Sequence, residues 1–361
     1  MSARIEFIHK GIVAPLTRLV PAAPPRFGEF DGGVYYADGG ICSAGIHGKT
    51  HYENRPKPIT GVGHLELIEG EHIFGGMLQE HFGHFLTESI GRSWALNRVC
   101  KKIDSIIFYH RVPGGSIPRF ANELLNLIRP SVSIKLIQIP SVVELLAVPS
   151  HIEKNGVLYG HPEMRLVTQP LRNIIGRTIR KVYVSRSGLR ANEGGFLFES
   201  EIDRRMESEG FEVIHPERMS LTEQFEIYNS AEYIVFAEGS ALHLYAMVAR
   251  PDQKIFIIWR RKVASHFLWQ IMSFGGPSRI IGTPCIAYLL VPPTGEVHAK
   301  AVLDFRELGR QLYEEGFIKS QSWAQPRPEE VESEISEISK AANVKYDLRQ
   351  PLPPVGSGSK R

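Results

Sequence analysis

The C-terminal half of the chain alternates short apolar runs with longer segments in which apolar residues recur every three or four positions. A short apolar run between turn residues predicts a buried strand, and a spacing of three or four predicts a helix. Alternation of the two predicts a parallel sheet with crossover helices. Strands are predicted at 181–185, 211–214, 233–236 and 254–259, and helices near 163–177, 199–209, 220–230 and after Gly239-Ser240.

The N-terminal half shows the same alternation after an irregular start. Up to about residue 80, apolar bursts closed by glycine, such as 64–70, predict short strands and turns. Leu86, Ile90 and Trp94 then lie four apart, which predicts a helix over 83–100. Further along, strands are predicted at 104–109 and 134–139, with a helix at 118–128, and a further apolar run covers 142–148.

Length and composition agree with a protein of two globular domains. The chain has 361 residues, of which 43% are hydrophobic and 22% are charged, and this suffices for two cores. We therefore expect an α/β fold with two doubly wound, Rossmann-like domains that face a cleft, at residues 1–160 and 161–320. Ligands of such folds bind beyond the carboxyl ends of the strands.

The remaining residues, 321–361, differ in composition from the rest of the chain and form a predicted tail. Val331, Ile335 and Ile338 make a narrow apolar stripe among glutamates, which predicts a short amphipathic helix. Such a helix docks either on the body of the protein or on a partner. The residues after Gln350 are rich in proline, glycine and serine, and they are predicted to be disordered.

The charge balance and the cysteines exclude several classes of protein. With 42 Lys+Arg against 39 Asp+Glu, the formal net charge of +3 does not indicate a nucleic-acid-binding protein. Cys42, Cys100 and Cys285 are too scattered for a disulfide framework or a thiolate zinc site. Neither a membrane span nor a secretory signal pattern is found. A cytoplasmic protein is expected, with any membrane contact peripheral and at the inner face of the membrane.

The first candidate for chemistry is His81-Phe-Gly-His84-Phe-Leu-Thr-Glu88, whose three polar residues share one face of a helix. In the first helical turn the dipole disfavours imidazolium, so His84 is a candidate general base. Glu88 would orient the His84 ring or act as the base itself. Two alternatives stay open. The histidines cap backbone groups while Glu88 pairs with Arg92, or the two histidines and Glu88 bind a metal ion, which their spacing supports weakly.

The second candidate is the loop after the strand predicted at 181–185. It carries Ser185, Arg186, Arg190 and Asn192. Two arginines four apart can bind a diphosphate through bidentate hydrogen bonds, and the intervening Gly188 allows close backbone approach. The alternative is a solvated surface loop.

The third candidate is the turn Glu238-Gly239-Ser240, where a buried strand leads directly into a helix. Backbone N–H groups at a helix start, together with the dipole, form an anion site. Glu238 suits a ribose or sugar hydroxyl better than a phosphate. The alternative is tight strand–helix packing with Ser240 as N-cap. Arg260 and Arg261 follow the next strand as reserve phosphate ligands or, more simply, as solvated side chains.

Several motifs of other enzyme classes are missing from the sequence. It has no Asp-x-Asp pair for a divalent ion on a sugar nucleotide, no Walker P-loop, no G-x-G-x-x-G after a strand and no G-x-S-x-G. Without a metal ion, arginines and helix dipoles would have to meet the charge of a leaving group. No metal and no cofactor are therefore expected.

The order of these motifs resembles glycosyltransferase family 61, whose bacterial branch is linked to capsular or surface polysaccharide. The resemblance covers about residues 80–260. It rests on four segments taken together, namely Gly83-His84 with Glu88, Val-Tyr-Val-Ser185-Arg186 with Asn192, the segment 209–224 and the segment 231–241.

The resemblance implies a GT-B arrangement, an inverting transfer and a UDP-sugar donor without an essential metal. It assigns the family's Gly-His motif to Gly83-His84 and its Glu-Gln helix start to Glu223-Gln224. Where the family often has His-Gly-Ala, this chain has Glu238-Gly239-Ser240, with His243 one helical turn later. The resulting donor-binding set is Ser185, Arg186, Arg190, Asn192, Gln224, Glu238, Gly239, Ser240 and His243.

We expect residues 1–160 to present a glycan acceptor, with His84 and Glu88 as the catalytic pair, and residues 161–320 to bind the nucleotide sugar. Two other classes remain as alternatives. One is a metal-dependent hydrolase built on His81, His84 and Glu88. The other is a catalytically silent binding protein that retains a transferase fold.

Overall fold

The computed structural model describes residues 3–17, 19–20, 28–47, 52–59, 65–99 and 102–350. Contacts divide the chain into two compact units. The first comprises Met1–Ile174 with Ala246–Val248, and the second comprises Ile175–Tyr245 with Ala249–Arg361. Cys100 and the segment after Gln350, which is predicted to be disordered, lie outside the described residues.

The first unit is built on a mixed sheet of six strands. The described strands of this unit are β1 (Ile5–Ala14), β2 (Leu19–Val20), β3 (Gly28–Phe30), β4 (Gly33–Tyr35), β5 (Tyr52–Asn54), β6 (Glu66–Leu78), β7 (Ser105–His110), β8 (Ser133–Ile137) and β9 (Ser141–Pro149). The order in the main sheet is β4-β1-β9-β6-β7-β8. The four strands from β9 to β8 are parallel, whereas β1 is antiparallel to its two neighbours. β2, β3 and β5 form a separate small sheet.

The structure interrupts two of the helices that the sequence predicts for this part of the chain and bears out the one predicted at 118–128. The described helices of the first unit after β6 are α1 (Phe82–Thr87), a 3₁₀ helix at Ser89–Asn97, α2 (Arg119–Ile128), α3 (Pro162–Val167) and α4 (Gln169–Arg172). The single helix predicted over 83–100 is wrong, because the backbone leaves helical geometry at Glu88. The carbonyl oxygen of Glu88 bonds to the ring of His151 at 2.7 Å. The helix predicted over 163–177 is also interrupted, since Pro170 has no N–H for the carbonyl of Leu166.

The second unit contains the parallel sheet that the sequence predicts. Its described strands are β10 (Lys181–Val184), β11 (Gly195–Phe196), β12 (Glu212–Ile214), β13 (Tyr233–Ala237), β14 (Lys254–Ile258), β15 (Ile280–Ile281), β16 (Ile286–Val291), β17 (Lys300–Leu303) and β18 (Asp347–Arg349). The main sheet has the order β12-β10-β13-β14-β15, and every neighbouring pair is parallel. The strand order therefore reverses between β10 and β13, the switch point at which such sheets bind ligands.

The described helices after β10 are α5 (Glu199–Ser208), α6 (Leu221–Ser230), α7 (Ala241–Ala246), α8 (Ser265–Ser273), α9 (Phe305–Glu314) and α10 (Pro328–Ala342). Helices α5 to α8 lie between strands of the parallel sheet, whereas α9 and α10 follow β17. α6 begins at Ser220, whose side chain accepts the N–H of Glu223 while Glu223 returns a bond to the Ser220 N–H, which is a complete capping box. The mixed α/β architecture with parallel sheets is thus confirmed.

The predicted tail helix, α10, docks on the second unit. Val331, Ile335 and Ile338 pack against a cluster that includes the buried Leu197, Leu290 and Val302. After α10 the chain adds β18 to the edge of a second sheet, which has the order β11-β17-β16-β18. The sequence left open whether this helix docks on the body of the protein or on a partner. The structure shows it docked on the body of the protein.

Candidate functional site

Two loops meet at the switch point of the parallel sheet. β10 ends at Val184 and leads into Ser185 and Arg186, while β13 ends at Ala237 and leads into Gly239. A Cβ atom built on Gly239 would lie only 2.3 Å from Nη1 of Arg186, so the guanidinium rests on the glycine backbone. The structure thus brings together the arginine and the small-residue turn that the sequence singles out separately.

One backbone carbonyl holds the Arg186 side chain, and a buried acid holds its backbone N–H. Its Nε and Nη2 donate to the carbonyl oxygen of Gly194 at 3.2 and 2.8 Å. Its backbone N–H donates to Oε1 of Glu199 at 2.6 Å. Burial raises the pKa of Glu199 to about 7, although Arg186 partly opposes that rise. Within the described residues, no carboxylate lies in ion-pair contact with the Arg186 guanidinium.

Glu238 differs from the expectation of a contact with ribose or sugar hydroxyls. Its side chain has no exposed surface, and both carboxylate oxygens are engaged within the protein. Oε1 accepts from Nε and Nη2 of Arg261 at 3.1 and 2.6 Å, and Oε2 accepts from the backbone N–H of Arg260 at 3.1 Å. A buried carboxylate requires such partners. Glu238 therefore anchors the arginines that follow β14.

The expectation that Arg260 and Arg261 are solvated is wrong, because both arginines donate hydrogen bonds to the buried Glu238. Arg260 is buried, and its Nη1 donates to the carbonyl oxygen of Val297 at 3.2 Å. A Cβ atom on Gly194 would lie 2.1 Å from this nitrogen, so a glycine is needed where the arginine passes. The Arg261 side chain is 29% exposed and paired with Glu238. Both arginines are parts of the fold beside the switch point.

Of the next four predicted donor-binding residues, two are buried and two are exposed. Ser185 is buried and its hydroxyl donates to Oγ of Ser187 at 3.2 Å. Arg190 and Asn192 are exposed on the loop after β10. Gln224 is buried on α6, where Nε2 donates to the carbonyl oxygen of Pro216 at 3.1 Å, which places that amide in the structural core.

His243 belongs to a helix that Ser240 immediately precedes, and this helix is too short to supply a strong dipole. α7 has six residues, and the Leu242 N–H donates to the carbonyl oxygen of Gly239. The macrodipole grows with the number of aligned peptide units, so the arginine contributes more positive potential here than the helix does. His243 is buried, its Nδ1 bonds to Oε1 of Gln270 at 2.6 Å, and its ring stacks on that of His266.

In the first unit, the structure pairs the two residues predicted as a catalytic pair. Nδ1 of His84 lies 2.6 Å from Oε1 of Glu88, one helical turn away. The His84 side chain is 40% exposed, while that of Glu88 is 4% exposed. A carboxylate that accepts the Nδ1–H of a histidine fixes the ring tautomer and leaves Nε2 as the basic nitrogen. The alternative in which Glu88 pairs with Arg92 is wrong, because Arg92 donates to the carbonyl oxygens of three residues elsewhere, Ala44, Ile46 and Pro149.

Two further side chains surround Glu88 that the sequence did not reveal. Nε2 of Gln79 donates to Oε2 of Glu88 at 2.8 Å, and Nε2 of His47 lies 3.9 Å from the same oxygen. Burial raises the pKa of Glu88, but the neighbouring imidazoles of His47 and His84 outweigh this effect and lower the pKa to about 2. Glu88 is therefore a carboxylate at neutral pH. His47 is far from Glu88 in sequence, so no local pattern could indicate this contact.

The described part of the chain lacks two features that would indicate a metal-dependent hydrolase or a membrane-spanning protein. Among the residues placed in the structure, no group of three or more His, Cys, Asp or Glu side chains is arranged to hold a metal ion. His81, His84 and Glu88 thus do not form such a group. Across the same residues, no helix combines the length and the apolar character needed to cross a membrane.

Comparison with known proteins identifies the family. Residues 82–256 match the family model described as Glycosyltransferase 61. A search of curated protein sequences found no match. The matched segment includes His84, Glu88, Arg186 and Gly239, whose contacts are given above, and it follows the order of motifs on which the resemblance rests. The chain belongs to glycosyltransferase family 61, and it is a glycosyltransferase.

Proposed function

We propose that this enzyme transfers a sugar, with inversion, from a nucleotide-diphosphate donor to a glycan acceptor in the synthesis of a surface or capsular polysaccharide. The expected donor is a UDP-sugar. The contact between Arg186 and Gly239 carries the proposal, because it places a guanidinium at the switch point of a parallel sheet. A guanidinium over exposed backbone is suited to a diphosphate, which accepts bidentate hydrogen bonds.

The proposed chemistry needs a group that stabilises the diphosphate as it leaves. The bond between the anomeric carbon and the diphosphate oxygen breaks, and negative charge grows on the diphosphate. Arg186 and Arg190 would meet that charge, as fixed cations do for developing oxyanions. Because the chain contains no Asp-x-Asp pair, we propose that transfer does not require a divalent ion.

The acceptor hydroxyl must lose a proton as it attacks the anomeric carbon. We assign this proton to Nε2 of His84, since Nδ1 is engaged with Glu88. Glu88 holds the ring and stabilises the imidazolium that forms, a role suited to a buried carboxylate with a low pKa. Attack on the face opposite the diphosphate inverts the anomeric configuration.

The division of labour between the units is part of the same proposal. We assign the acceptor to the first unit and the donor to the second, in a GT-B arrangement with the sugar transferred between them. A cytoplasmic location is proposed as well. The buried free cysteines Cys42 and Cys285 fit a reducing compartment.

A thermal-shift screen against UDP, GDP, CDP and UDP-sugars, with EDTA or with Mn²⁺, tests this proposal. Ligand at a hundredfold excess over its Kd stabilises the protein by about 2.7 kcal/mol. We expect UDP to raise Tm equally in EDTA and in Mn²⁺, and the NMR spectrum of the product to show the opposite anomeric configuration. The proposal fails if no nucleotide raises Tm, if Mn²⁺ is required, or if the configuration is retained.

A further inference from the structure

A cavity of about 250 Å³ opens beside Arg186 in the second unit. Arg190 and Lys300 contribute further cationic side chains to its wall, and Gly194 and Gly195 contribute backbone. Pockets for drug-sized ligands measure about 300 to 1,000 Å³. This cavity is therefore large enough for phosphate groups but not for a whole sugar nucleotide.

Lys300 is a buried cation without a carboxylate partner. It lies at the start of β17, directly opposite Gly195 in the ladder with β11, and its side chain is buried. Nζ donates to the carbonyl oxygen of Glu193 at 2.9 Å, its one hydrogen bond among the described residues. An ammonium group has three N–H donors. Burial lowers the pKa of Lys300, the cost of holding this group away from water.

Gly195 keeps space open next to this lysine. A Cβ atom on Gly195 would lie 3.8 Å from Nζ of Lys300 and 3.0 Å from Oε2 of Glu199. Gly194 supplies the carbonyl oxygen that orients Arg186. A side chain at Gly195 would crowd Lys300 and Glu199, whereas one at Gly194 would clash with Arg260. Glycines in a wall of this kind allow an anion to approach the backbone.

Three acids also line the cavity, namely Glu193, Glu199 and Glu334, and none of them forms an ion pair with its cations within the described residues. Glu199 has a pKa raised by burial to about 7, and its oxygens accept backbone N–H groups of Arg186 and Phe196. Glu334 of α10 also has a pKa raised by burial, and its Oε1 accepts the N–H of Phe198 at 2.7 Å. Unpaired buried cations are costly. A polyanionic ligand is the partner that would complete them.

We propose that this cavity binds the diphosphate of the donor, with Lys300 as a phosphate ligand beside Arg186 and Arg190, and with α10 as one wall. The inference rests on the proposed function for the identity of the anion. It extends the donor site beyond the segment that matches the family, because Lys300 and α10 lie outside residues 82–256. A diphosphate here satisfies the cations that the protein leaves without carboxylates.

The test is calorimetric titration of UDP, inorganic pyrophosphate and uridine into the full chain and its variants, in EDTA. Lys300→Met keeps most of the length of the side chain and removes the charge. We expect its affinity for UDP and for pyrophosphate to fall about tenfold or more, because the variant loses a hydrogen bond between two charged groups, the stronger kind of hydrogen bond. Uridine affinity should not change. Lys300→Gln serves as a second variant if Lys300→Met folds poorly.

Lys262→Gln is the matched control, since Lys262 is an exposed lysine of the same unit. It should leave all three affinities unchanged. The inference is overturned if Lys300→Met and Lys300→Gln bind UDP and pyrophosphate as the wild type does. If the wild type binds pyrophosphate through Lys300 but does not bind UDP, the cavity is upheld and the proposed donor is wrong. If UDP binding depends on Arg186 but not on Lys300, the proposed function is upheld and this inference is wrong.

Discussion

Nη1 of Arg186 lies so close to Gly239 that a Cβ atom on the glycine would approach it to 2.3 Å. The two residues follow adjacent parallel strands, and their contact joins the loops at the switch point of the sheet. The position of the guanidinium thus depends on the absence of a side chain on its neighbour. This dependence can be tested without altering the arginine.

We predict that Gly239→Ala weakens UDP binding about tenfold and changes Tm little. The added methyl group displaces the end of a flexible side chain and not backbone, so the fold can absorb it while Arg186 leaves its position. A tenfold loss corresponds to about 1.4 kcal/mol. Calorimetry on Gly239→Ala, Arg186→Ala and the double variant measures the coupling. The alanine should have no further effect once Arg186 is removed, and additive losses would contradict the prediction.

Gln79→Leu should lower kcat about tenfold while leaving the donor KM unchanged. Gln79 donates to the carboxylate that orients His84, and partners of this kind typically contribute tenfold to a hundredfold. Gln253→Leu is the control, because Gln253 is also buried but donates to backbone carbonyls of the second unit. It should lower Tm and keep kcat. A normal kcat in Gln79→Leu, measured as UDP release from the UDP-sugar chosen by the screen, would contradict the prediction.

The low pKa of Glu88 predicts a definite pH dependence of stability. The folded-state pKa of about 2 lies below the ordinary value of 4.5, so the carboxylate stabilises the fold above pH 4.5 and this contribution is lost as the pH falls towards 2. Its size is of the order of 3 kcal/mol. Urea unfolding gives the free energy of unfolding of the wild type and of Glu88→Gln. We expect the difference between the two values to shrink as the pH falls from 7 to 3.5. A difference that is constant or grows would contradict the assignment.

Detachment of α10 should weaken donor binding, although the proposed phosphate ligands lie on other elements. Ile335→Asp places a charge in the apolar contact between α10 and the second unit. We expect faster proteolytic cleavage near α10 and a UDP affinity lowered several-fold, because Glu334 and Ile338 line the cavity. Ser336→Asp adds the same charge on the exposed face of the helix and should do neither. Faster cleavage near α10 combined with an unchanged UDP affinity would contradict the prediction.

The sequence predicts the second unit well because its signals are local. The apolar runs at β10, β13 and β14 are buried parallel strands, and the carboxyl ends of adjacent parallel strands necessarily meet. The proximity of Arg186 and Gly239 follows from that topology. The capping box at Ser220 and Glu223 likewise fixes the start of α6 from four consecutive residues.

The parts that the sequence does not predict depend on contacts between distant segments. The break at Glu88 arises from a bond to the ring of His151, which no helical spacing contains. Glu238 is buried because Arg260 and Arg261 converge on it, and a solvated location was the simpler expectation for each arginine. Arg186 and Arg190, which the sequence singles out, line the cavity, but Lys300 begins a short strand far along the chain, and only the fold shows what it faces.

Calorimetric titration of UDP into the wild type and Arg186→Ala, with EDTA present, is the decisive experiment for the role of Arg186. We expect the wild type to bind UDP, Arg186→Ala to bind it at least tenfold more weakly, and both proteins to have the same Tm without ligand. Equal UDP affinities for the two proteins would contradict the assignment of the diphosphate to the switch point of this sheet.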